Sequence, residues 1–158
     1  MSISVQEADF DAGAEIAALS TGREDVGAVA SFVGLVRADK TAGTSAGANA
    51  VQAMTLEHYP GMTEKALQEI VVQAEARWEL LGVRVIHRVG RLRSGDRIVF
   101  VAVASSHRGD AFAACEFIMD FLKTRAPFWK KEETPQGARW VDARESDDAA
   151  AERWSDLK

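Results

Sequence analysis

Residues 98–104 (IVFVAVA) run without a single polar side chain, and a strand reading this way is buried on both faces rather than wet on one. That demand constrains the whole chain, because packed layers must cover each side of such a strand. The following segment supplies one cover. After Ser105-Ser106, the residues Ala111, Cys115, Ile118 and Leu122 recur at helical spacing, with Phe112 and Met119 beside them. A serine just before that pattern is expected to cap the helix, which places His107 and Arg108 in its first turn. Unpaired N–H groups and the helix dipole favour negative charge there, so two cations at this corner conflict with the helix itself. An anionic ligand resolves the conflict.

The other end of this helix is equally unusual. Pro127 should stop it at or before Ala126, and Lys123, Arg125, Lys130 and Lys131 surround the break with no acid among them. Cations at a helix C-terminus gain about 0.3–1 kcal/mol each from the dipole, so a solvated basic end accounts for the charges. It does not account for Phe128-Trp129 between the lysines.

The rest of the chain reads as alternating strands and helices. Residues 2–5 fit a short strand, Asp11 leads a helix through Ile16 and Leu19, and residues 22–25 form a turn. Residues 27–37 (GAVASFVGLVR) form a strand in which Gly34 marks a bulge or a close backbone approach. The strand ends at Arg37. Residues 38–50 contain nothing that packs a core and read as a mobile loop. Residues 51–59 alternate, with Met54, Leu56 and His58 facing inward, and Pro60-Gly61 turns into an amphipathic helix. Its stripe is Met62, Ala66, Leu67, Ile70, Val71, Ala74 and Trp78. Gly82 closes this region, residues 83–89 form a strand, and residues 91–95 a turn. Near the C-terminus, residues 134–137 (TPQG) signal a hairpin turn that brings Trp129 and Trp140 near one another, and Trp154 anchors a polar terminal helix. His58 and Tyr59 read as hydrogen-bonded structure, and Arg144 as a surface ion pair. The expected architecture is a single α+β domain over residues 1–158, a mixed sheet with packed helices and a small C-terminal hairpin region.

Composition narrows the function by exclusion. A formal net charge of −5 argues against a general nucleic-acid coat, and no apolar run is long enough to span a membrane. The N-terminus lacks the basic and apolar regions of a secretory signal, and the lone Cys115 reads as a core residue in a reducing, cytoplasmic setting. Five arginines and His87 crowd residues 84–97, while six acids crowd residues 142–156, a distribution that suits a specific anionic ligand. Neither GxGxxG, GxxxxGK[ST] nor HExxH occurs, and three scattered histidines match no zinc spacing. What remains is a cation set: Arg37 at a strand end, His107 and Arg108 at a helix start, Lys123 and Lys130 around a proline. Such a set holds a small phosphorylated or carboxylated molecule, and a desolvated lysine within it can serve as acid or base. A binding module for anions or RNA, and an inactive structural subunit, fit the same residues.

Longer blocks go further. TLEHYPGMTEKAL (residues 55–67), VIHRVG (85–90), SSHR (105–108), FIMDFLKTRAPFWKKE (117–132) and RWVDARESD (139–147) stand in an order that resembles the large, catalytic subunit of molybdopterin synthase. The resemblance runs over nearly all of residues 27–154. It implies an α/β hammerhead fold and transfer of sulfur from the C-terminal thiocarboxylate of a small ubiquitin-like partner subunit. The acceptor is cyclic pyranopterin monophosphate, which gains the dithiolene of molybdopterin. It implies a heterotetramer with two large subunits as a central dimer. By position, Lys123 and Lys130 take the catalytic places and Lys131 borders them. Arg37, His107, Arg108 and Arg144 fall in the anion pocket, which the family builds across the dimer interface. The sulfur arrives on the partner, so Cys115 is not implied as its carrier. Residues 38–50 depart from the resemblance by being longer than the family's usual loop.

Overall fold

The computed structural model describes residues 1–38, 53–135, 137–141 and 145–155. Two four-stranded sheets carry the fold. The first has the order β1-β4-β6-β2, from β1 (Ser2–Gln6), β4 (Leu80–Arg88), β6 (Arg97–Ser105) and β2 (Ala28–Leu35). Within it β1 runs parallel to β4, and β6 is antiparallel to both β4 and β2. The second sheet is antiparallel throughout, in the order β5-β3-β7-β8, from β5 (Gly90–Arg93), β3 (Ala53–His58), β7 (Phe128–Thr134) and β8 (Gly137–Val141). The mixed α+β architecture expected from the sequence is present. The C-terminal hairpin, however, is half of this second sheet, because β7 pairs along its length with β3.

β6 is buried as its composition requires, with every residue from Ile98 to Ser105 shielded from solvent. Its two faces meet different neighbours. Val99, Val101 and Val103 join the main core with α2 (Met62–Arg77) and α3 (Arg108–Arg125), while Phe100 and Ala102 pack with Phe10 and Ile86 beneath α1 (Ala12–Ala18). Asp11 caps α1 by accepting from the Ala14 N–H at 3.1 Å. Cys115 fills a core position, and burial pushes its thiol up to about 12, which leaves no thiolate for chemistry.

Gly34 serves both purposes expected of it. The β2–β6 register shifts between Gly34 and Leu35, and a Cβ on Gly34 would lie 2.6 Å from a Val99 methyl. Gly61 starts α2 with a φ of 85°, and its N–H is capped by Glu64 at 2.7 Å. Pro127 stops α3 as expected, with Ala126 already extended. The terminal segment folds as α4 (Glu145–Glu152) and a short 3-10 turn, where Trp154 is buried against Trp78 and Phe117 and donates to Asp120 at 2.6 Å.

Several expectations are corrected. The serine cap on α3 is absent: Ser105 ends β6 and bonds the Glu79 carbonyl, and His107 takes the cap position without a side-chain bond. On α2 the buried row holds Thr63 in place of Met62, which is exposed, and on α3 Phe112 is exposed. Residues 91–93 belong to a strand, since Arg91, Leu92 and Arg93 pair with β3 and Leu92 enters the core. β4 begins at Leu80, with Gly82 at a register shift inside it. The loop expected over residues 38–50 falls, from residue 39 onward, outside the described residues.

Candidate active site

Alternation along β7 sorts the cations that follow the proline. Phe128 and Lys130 share one face of the strand with their β3 partners His58 and Leu56, and Leu56 is fully buried, so this face looks into the core. Lys131 lies on the opposite face, its ammonium 5.8 Å from the centre of the Trp140 ring. Trp129 belongs to that same outer face, diagonal to Trp140 across the ladder. The two lysines are therefore separated by the strand itself.

On the inner face the Phe128 ring stacks on His87, with centroids 3.8 Å apart and planes 19° from parallel. His87 comes from the first sheet. It occupies the same row of β4 as Val83 and Val85, and its strand partners are Val5 on β1 and Val99 on β6. A histidine thus stands where the row calls for valine, and only 4% of it reaches solvent. Its Nδ1 lies 2.8 Å from the Arg88 carbonyl. A carbonyl only accepts, so Nδ1 carries the proton and the neutral ring keeps its lone pair on Nε2. Burial drives the imidazole pKa down to about 3; the bond to Arg88 opposes this, while the positive charges of Lys123 and Lys130, and His58, push it lower. Both lysines act on this one ring, Lys123 from the last turn of α3 and Lys130 from the inner face of β7.

Thr63 fastens the arrangement. Its hydroxyl donates to the Pro127 carbonyl at 3.1 Å and accepts from the Tyr59 N–H at 3.1 Å, tying the start of α2 to the start of β7. His58 and Glu64 form a loose pair at 3.8 Å close by. Neither Thr63 nor His87 stood out as a site residue in the sequence. The available signal was a polar residue in a row of apolar ones, as with His87 after Val83 and Val85.

The other cations lie elsewhere. His107 and Arg108 are exposed at the N-terminus of α3, sixteen and fifteen positions before Lys123. At a rise of about 1.5 Å per residue the two ends are roughly 24 Å apart along the axis. Arg37 follows β2, whose last residue Leu35 pairs with Arg97, and Val36 bonds Asp96 and Gly95. Since α3 runs back over β6, that is the end of the sheet to which Lys123 returns. Arg144 lies outside the described residues. The arginines of residues 84–97 are largely engaged: Arg84 with Glu15, Arg91 with Glu133, and Arg97 with Asp9, whose carboxyl its hydrogen bonds hold down to about 2. Among the described residues no group of three or more His, Cys, Asp or Glu side chains could hold a metal ion, and no helix is long and apolar enough to cross a membrane.

The family profile described as MoaE protein matches residues 5–125. A relative from Ralstonia nicotianae, named molybdopterin synthase catalytic subunit, is 66% identical over 152 residues, covering 96% of this chain and 83% of the relative. One of the same name from Pseudomonas aeruginosa is 55% identical, covering 99% of this chain and 100% of the relative. Among solved structures, the molybdopterin biosynthesis MoaE protein from Burkholderia ambifaria superposes with a TM-score of 0.79 at 56% identity, covering 98% of this chain and 97% of that one. With a fold and a sequence match that agree over most of its length, the chain belongs to the MoaE family, the family of these molybdopterin synthase catalytic subunits, enzymes of molybdopterin biosynthesis.

Proposed function

We propose that the chain transfers sulfur from the C-terminal thiocarboxylate of a small ubiquitin-like partner subunit to cyclic pyranopterin monophosphate, forming the dithiolene of molybdopterin. What supports this reading is that the positive charges of Lys123 and Lys130 both reach one buried, neutral ring, with Lys130 on the strand face that carries the Phe128 stack. Two ammonium groups held beside a desolvated wall suit a reaction that brings in one anion and generates another. They neutralise the thiocarboxylate of the entering tail and the oxyanion that develops as its sulfur is transferred. Low dielectric strengthens both effects.

The anion-gripping residues complete the site from a second copy of the chain. In a cyclic phosphate ester the phosphorus is a few bonds from the carbons that receive sulfur, so its clamp and the lysines must meet around one small molecule. His107 and Arg108 sit roughly 24 Å from Lys123 along α3 of their own chain. In the two-fold dimer of this reading, the N-terminal end of one α3 meets the C-terminal end of the other. Arg37 lies at the lysine end, and Arg144 is assigned to the same pocket through the family resemblance. Lys131, on the outer face of β7, borders the lysine pair through the backbone it shares with Lys130. The assembly is a heterotetramer with the two large subunits at its centre, working in the cytoplasm without nucleic acid or membrane.

The test mixes the purified chain with the thiocarboxylated partner and cyclic pyranopterin monophosphate, and follows dithiolene product. Product should require all three components. Lys123→Ala should lower turnover about a hundredfold or more while the partner still binds. Turnover within a few-fold of the unaltered chain would remove Lys123 from the reaction.

A further inference from the structure

We propose that His87 is a positioning residue for the lysine pair, a neutral hydrogen-bond acceptor clamped between the two sheets whose one free lone pair holds one of the two ammonium groups at the reacting centre. The inference rests on the sulfur-transfer reading for its purpose, and on local geometry for its content. The ring is fixed on two sides: Phe128 covers its face at 3.8 Å, and the Arg88 carbonyl occupies its Nδ1 edge at 2.8 Å. The opposite edge, with the Nε2 lone pair, is the only part of the ring still able to make a hydrogen bond. A buried acceptor requires a donor.

The groups around the ring identify that donor. From β7 comes Lys130, two residues beyond Phe128 on the same face, and from α3 comes Lys123 in its last turn. From β3 comes His58, with Glu64 of α2 beside it. Its strand partners on β1 and β6 are Val5 and Val99, neither of which carries a charge. The neighbouring Arg88 turns its guanidinium to the Glu7 and Arg97 carbonyls. Lysines supply the nearby strong donors. Burial keeps the imidazole neutral through the physiological range, so it accepts from an ammonium without adding a third positive charge.

Such an acceptor favours the charged form of the lysine it holds, and its removal lets that lysine lose its proton more easily. The experiment titrates the Lys123 and Lys130 side chains by 13C NMR in the full chain, in His87→Phe and in His87→Gln. The phenylalanine keeps the stack and loses the acceptor, and the glutamine restores an acceptor. At least one lysine midpoint should fall by about one pH unit in His87→Phe and recover in His87→Gln. A merely structural histidine would lower the melting temperature of His87→Phe and leave both midpoints in place, and that result overturns the proposal. Should His87→Phe fail to fold, His87→Gln against His87→Leu gives the same comparison. The titration needs neither partner nor substrate, so its outcome is independent of whether the unaltered chain makes dithiolene. In the turnover assay, kcat in His87→Phe should fall about tenfold with KM for the pterin within about twofold.

Discussion

Mixing two inactive variants tests how the site is divided between chains. Lys123→Ala disables the lysine end of α3, and the double variant His107→Ala with Arg108→Ala disables its N-terminal end. Sixteen helical positions separate the two, roughly 24 Å, far beyond the reach of one phosphate ester. If each site takes its lysines from one copy and its anion clamp from the other, a mixed dimer has one site with both halves intact and one with neither. Doubly tagged and purified, such dimers should return about half of the unaltered turnover per dimer, although each parent is down about a hundredfold. Random re-pairing of equal amounts should return about a quarter. The assay is dithiolene formation with excess thiocarboxylated partner and limiting pterin, where a weakened clamp shows fully. If every site lay within one chain, the mixed dimer would hold two defective sites and stay at the parental level. That result would refute the argument from helix length.

Four further outcomes are expected. Replacing Thr63 with Val leaves the Tyr59 N–H and the Pro127 carbonyl without their shared partner, which should cost about 1–3 kcal/mol by chemical denaturation and also lower turnover. Gly27→Ala would set a Cβ 2.1 Å from the Ser106 carbonyl oxygen, so the corner leading to His107 must shift; stability should fall by about 1–3 kcal/mol, with weaker pterin binding by calorimetry. His87 has a folded pKa of about 3 against an ordinary 6.5, so the unfolded chain binds a proton that the folded chain refuses. Its contribution should therefore be lost as pH falls from about 6.5 towards 3, and His87→Phe should flatten the stability profile in that window, read by denaturant titration at each pH. Trp154→Ala, which removes a buried ring and a bond to Asp120, should cost about 3–5 kcal/mol in the same measurement.

What the sequence revealed depended on how each element announces itself. The β6 strand was legible because seven successive apolar residues leave no wet face, and the end of α3 because Pro127 cannot continue a helix. Arg37, His107, Arg108, Lys123 and Lys130 stood out as cations at element ends. Their grouping did not, since it depends on which face of β7 each side chain takes and on the direction of α3. Thr63 and His87 are polar residues in buried rows, and hydrophobic periodicity treats them as interruptions although each has a defined bonding partner. The β5 strand escaped because one apolar residue between two arginines resembles a turn until β3 is laid beside it. A serine reads as the cap of α3 only if the helix is taken to start before His107, which is itself the cap.

The two lysines ride on different bodies. Lys123 travels with the helix that packs on the first sheet, and Lys130 with the second sheet, so their spacing gauges how one sheet sits against the other. Ala126 and Pro127 join α3 to Phe128 across that seam, and the Thr63 bond and the His87 stack rivet it beside the core that Leu56 and Leu92 share with the first sheet. On the outer face of the β7–β8 hairpin, Trp129 and Trp140 are exposed, one strand thickness from Lys130 on the inner face. Loosening either rivet would change that spacing without touching a lysine.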